Sequence, residues 1–96
     1  MAESSHQCRV LSVLAFELSK HRLGAADFEL VRDYMYEHNE WGLGVETLVD
    51  IIVNEDIAVT LKEKEAICAA MNAMQLRRSQ EKIRVVKKLP SSQGAT

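Results

Sequence analysis

No stretch of the 96-residue sequence holds the roughly 18 uninterrupted apolar residues that a membrane span needs. The opening MAESSHQCRV carries an acid and a histidine where a signal peptide needs basic residues ahead of an apolar run. Both absences lead to the expectation of a cytoplasmic protein. Cysteine is scarce: Cys8 and Cys68 each fall in an apolar helical pattern, and a reducing compartment is expected to leave them as buried thiols. A chain of this length builds one core but not two lobes around a cleft, so a binding module is expected in preference to an enzyme.

The most informative absence is local. From Asp33 to Leu61 there is no lysine or arginine, while seven acids occupy the interval: Asp33, Glu37, Glu40, Glu46, Asp50, Glu55 and Asp56. The formal net charge of -2 hides a division of the chain. Residues 1–76 hold 13 acids and six Lys or Arg, and residues 77–96 hold one acid, Glu81, and six bases. The sequence therefore describes an acidic body, residues 1–78, followed by a basic, partly disordered C-terminal segment, residues 79–96.

What is present reads as helix almost throughout. From Ser5 to Arg22, Val10, Leu11, Leu14 and Leu18 recur at helical spacing, with Lys20, His21 and Arg22 in the last turn and Gly24 as the stop. A second helix is expected from Ala26 to His38, with Phe28, Val31 and Met35 on one face, and Asn39 and Glu40 turning the chain. A third runs from Trp41 or Gly42 to Glu55 and buries Val45, Leu48, Val49 and Ile52. Gly42 relaxes its entry and Gly44 permits close packing. Thr60, with Glu63 three residues on, is a capping-box signature that starts a fourth helix reaching Leu76, with Ala66, Ile67, Ala70, Met71 and Met74 inward. Beyond it, EKIRVVKKLP fits a short fifth helix with Ile83 and Val86 inward, or an extended arm. Short connections between amphipathic helices give an all-α, compact four- to five-helix bundle.

Catalytic and cofactor patterns are missing. WGLGVE has no preceding strand, no third glycine and no lysine, so it is not a phosphate loop. His6 and Cys8 lack the second ligand pair of a zinc site, and no nucleophile stands in a recognisable elbow. No enzyme activity, metal or cofactor is expected.

The carboxylates are left to explain. Glu29, Asp33 and Glu37 are spaced four apart on the second helix, and Glu46 and Asp50 repeat the spacing on the third. Like charges so placed destabilise a helix by about 0.2–0.5 kcal/mol per pair. Arg32 can reach Glu29, but positions 42, 43, 47, 49, 53 and 54, around Glu46 and Asp50, are all uncharged. Tolerating such repulsion points to recognition of a basic partner, with Tyr36 and Trp41 as anchors. The expected partner-binding residues are Glu29, Asp33, Tyr36, Glu37, Glu40, Trp41, Glu46 and Asp50. For Trp41, a half-buried cap over the helix junction is an equally open reading.

The run from His38 to Thr60, HNEWGLGVETLVDIIVNEDIAVT, resembles the central motif of small helical immunity proteins of the Maf and contact-dependent growth inhibition type. The corresponding features are Glu40, Trp41, the Gly42-Leu43 step, the acidic helix Glu46-Thr47-Leu48-Val49-Asp50-Ile51, Glu55, and Val59-Thr60 at the entry to the next helix. Gly44 departs from the alanine common at its place, and the likeness spans about residues 26–76. The resemblance implies a cytoplasmic bacterial antitoxin, monomeric when free. It would bind the toxic C-terminal domain of a cognate toxin, 1:1, and block it without membrane or nucleic acid. Such toxins are often nucleases with basic clefts, which an acidic surface suits. The alternative is a nucleic-acid-binding or regulatory protein acting through Arg77, Arg78, Lys82, Arg84, Lys87 and Lys88.

Overall fold

Thr60 and Glu63 form the expected capping box. Thr60 Oγ1 accepts from the Glu63 amide at 3.1 Å, and Glu63 Oε1 accepts from the Thr60 amide at 3.0 Å. The helix they start is the fourth of five in a computed structural model that describes residues 2–83 and the side chains of 6–83. α1 (Ala2–Ser19) runs into a 3-10 turn (Lys20–Arg22); α2 (Ala25–Arg32) widens into a π turn (Asp33–Glu37); α3 (Trp41–Asn54), α4 (Leu61–Met74) and α5 (Arg77–Lys82) follow. The fold is an all-α bundle. No helix among the described residues is long and apolar enough to cross a membrane.

α1 lies chiefly against α4 and secondarily against α3. The Cys8 thiol points to the Ala73 carbonyl while Arg22 meets Glu63, so α1 and α4 are antiparallel. Both cysteines are free and only partly buried, short of the full burial their apolar surroundings suggested. Burial still pushes the Cys68 thiol up, which keeps it protonated at neutral pH.

The buried face of α1 differs from its apolar stripe. Ser12, Ala15, Phe16 and Ser19 are buried, whereas Val10 and Leu14 are 46% and 45% exposed. Small residues admit the alanine-rich α4 at close range, and the serines find partners. Ser19 Oγ donates to the Ala15 carbonyl at 2.6 Å, and Ser12 Oγ lies 3.6 Å from Met74 Sδ. Phe16 stacks on Phe28 at 5.6 Å and meets Tyr36 edge-on at 6.1 Å, joining α1 to α2 and the π turn. Val31, Met35, Val45, Leu48, Val49, Ile52, Ile67 and Met71 fill the centre.

Helix ends depart from the glycine signal. Gly24 does not stop α1 in a left-handed conformation: its φ is -66°, and its carbonyl accepts from the Phe28 amide as the N-cap of α2. The left-handed positions are Asn39, Asp56 and Gln75, with φ near 55°. After α3 and α4 the amide following that residue reaches back to the helix, Ile57 to the Ile52 carbonyl and Leu76 to that of Met71.

The two glycines of α3 serve different ends. A Cβ on Gly44 would lie 2.9 Å from Met35 Cε and 3.3 Å from Tyr34 Cβ, so this glycine lets α3 cross the π turn. A Cβ on Gly42 would meet only Met74 Sδ, at an ordinary 3.8 Å. Gly44→Ala should therefore destabilise by about 0.5 kcal/mol, the crowding of Met35 and Tyr34 Cβ outweighing the gain in helix propensity. Gly42→Ala should stabilise by about 0.5 kcal/mol through helix propensity. Urea midpoints that move in opposite directions at constant slope would verify the contrast, and a shared direction would refute it.

α5 belongs to the same body. Ser79 and Ile83 are buried, so a boundary between 78 and 79 passes through this helix, and Ile83 faces inward as a fifth-helix reading requires. Val86 and the rest of the basic segment from residue 84 lie outside the described residues.

Candidate protein-interaction surface

The eight residues expected to bind a partner divide into two groups. Glu29, Asp33, Tyr36, Glu37, Glu40 and Trp41 run along α2, the π turn and the entry to α3; Glu46 and Asp50 lie further along α3. Glu29, Glu37 and Glu40 are exposed. No ion pair within 4 Å involves any of the three among the described residues. Arg32 does not turn to Glu29; its guanidinium meets Asp33 at 3.1 Å.

The second group has a counter-charge that helix spacing does not reveal. Lys82 Nζ donates to Asp50 Oδ1 at 2.7 Å, and Arg78 lines the same cleft together with Glu46. The cations come from α5, 32 positions along the chain in the case of Lys82. The repulsion on α3 is thus relieved from within, and two of the basic residues available to nucleic acid in the alternative reading face the protein's own acids. A lysine at position 50 would stand against Lys82. Arg84, Lys87 and Lys88 lie outside the described residues.

A second excess of carboxylates appears where α2 begins and α3 ends. A hydrogen bond shared with Asp27 raises the Glu55 carboxyl above its ordinary value, as happens when two acids are held together.

Tyr36 is 47% exposed, yet its hydroxyl is committed, donating to Glu17 Oε2 at 2.6 Å. Burial and then this bond push the phenol up to about 12. Lys20 and then Tyr36 bond to Glu17 and hold its carboxyl below the ordinary value, so Glu17 is an anion at neutral pH. The tyrosine proton is held more tightly in the fold than in the unfolded chain. Its contribution to stability is therefore complete below the ordinary value of 10.0 and fades as the pH rises toward about 12. The Tyr36 Cζ resonance should titrate near pH 12 while the fold persists, and Glu17→Gln should return it only part of the way, since burial remains. Titration near 10 in the parent protein would show both the burial of the phenol and its bond to Glu17 to be absent.

Trp41 fits both readings in part. It packs against the core as a half-buried cap, and it also lines a groove of about 500 Å³ between α1 and the π turn. Its Nε1 is buried without an acceptor. The α1 wall is Val10, Val13 and Leu14, with Arg9 and Glu17 at its ends; Met35, Tyr36, Asn39 and Trp41 form the other. The helical spacing of Val10 and Leu14 gave no sign that they stand outside the core. The available signal was the small-residue repeat Ser12, Ala15, Ser19, which competes for the same helix.

A buried ionic cluster lies elsewhere. Arg22 Nε reaches Glu63 Oε1 at 2.7 Å and a terminal guanidinium nitrogen reaches Oε2 at 3.1 Å, with His21 Nε2 3.5 Å from Oε2. Burial alone would push the Glu63 carboxyl up, but Arg22, the Thr60 amide and the charge of His21 together hold it below its ordinary value. Oε1 accepts from both the Thr60 amide and Arg22, and Oε2 from Arg22, so the cluster ties the 3-10 turn after α1 to the start of α4. Among the described residues no group of three or more His, Cys, Asp or Glu could hold a metal ion. Compared with known proteins, the chain matches no family model, no curated protein and no solved structure.

Proposed function

We propose that the protein is an immunity protein that binds the toxic C-terminal domain of a bacterial contact-dependent or Maf-type toxin, 1:1, and blocks it without chemistry of its own. The observation that carries this reading is the unneutralised acid of the α2–α3 side. Glu37 and Glu40 stand exposed close in the chain to the half-exposed Tyr36, in a stretch without Lys or Arg from Asp33 to Leu61, and the exposed Glu29 lies on the helix that leads into it. Such a face raises the encounter rate with a basic protein, and an aromatic at its centre supplies the contact that slows dissociation. A nuclease cleft has the required charge. The motif from His38 to Thr60 that resembles the immunity family overlaps this face. Glu46 and Asp50 carry less of the interaction than their spacing suggested, because α5 meets them first.

The reading expects a large secreted protein with a basic C-terminal domain to be encoded beside the gene, and co-expression with that domain is the test. The reading expects survival of the host and a 1:1 complex on size exclusion. Growth arrest despite full-length, folded protein would reject it.

A further inference from the structure

We draw no further inference here: the strongest candidate, the apolar groove between α1 and the π turn, carries nothing, because its lining carboxylate, Glu17, is already bonded to Lys20 and Tyr36 and nothing in the structure shows what covers it.

Discussion

Arg22→Met should lower stability by about 3 kcal/mol, the largest loss expected from any single surface-reaching side chain in this bundle. The guanidinium touches both oxygens of Glu63, a residue with only 6% of its surface exposed. Removing it strands a buried carboxylate, whose desolvation was the first obstacle that the pair had to overcome. The melting temperature should fall by about 12–24 °C for a domain of this size. The pH dependence carries the diagnosis. In the parent protein the folded carboxyl binds its proton more weakly than the ordinary 4.5, so the contribution is complete above that value and fades as the pH falls through the lower folded one. Without Arg22 the carboxyl takes up its proton at higher pH, which relieves the buried charge. The gap between the two proteins should therefore narrow toward acid. A gap constant from neutral pH to about pH 3 would assign the loss to packing and not to charge.

Glu37→Lys with Glu40→Lys should slow association with the toxin domain by about tenfold to a hundredfold at low salt, with little change in stability. Both side chains are exposed and enter no ion pair among the described residues. Glu40 precedes α3 without making a side-chain cap bond, so a lysine there adds only about 0.5 kcal/mol of unfavourable helix-dipole interaction. The effect should shrink as salt rises, because steering acts over a screening length of about 10 Å at 0.1 M. Asp50→Lys should behave differently. It breaks the contact with Lys82 and lowers stability by about 1 kcal/mol or less while changing association modestly, since that charge is already paired. If the α3 reversal proved the more damaging to binding, the docking face would have to be moved to the α3–α5 cleft.

The difference between these two groups of acids also shows what the sequence could and could not reveal. Local signals were legible because their partners are local. Thr60 and Glu63 are three apart and cap α4 as read, and Gly44 packs as closely as its place in an apolar helix implied. The counter-charge on Asp50 comes from another helix, so no argument from spacing along α3 could find Lys82. Helix α1 failed for a related reason. Val10 and Leu14 are the more hydrophobic residues, but Ser12, Ala15 and Ser19 are the smaller, and close approach to α4 rewards size over hydrophobicity. The eight residues expected to meet a partner were assembled from charge and spacing. Six lie along one continuous segment from α2 to α3, whereas the groove beside them became visible only once α1 was turned to its true face.

Hydrogen exchange on the complex with the toxin domain tests the central proposal most directly, because it reads the docking face without altering it. Protection should increase in the π turn and the first turn of α3, residues 33–44. The outer side of α4 around Lys62 and Glu65 should exchange as in the free protein. Protection centred on α4 or α5, with residues 33–44 unchanged, would contradict the account.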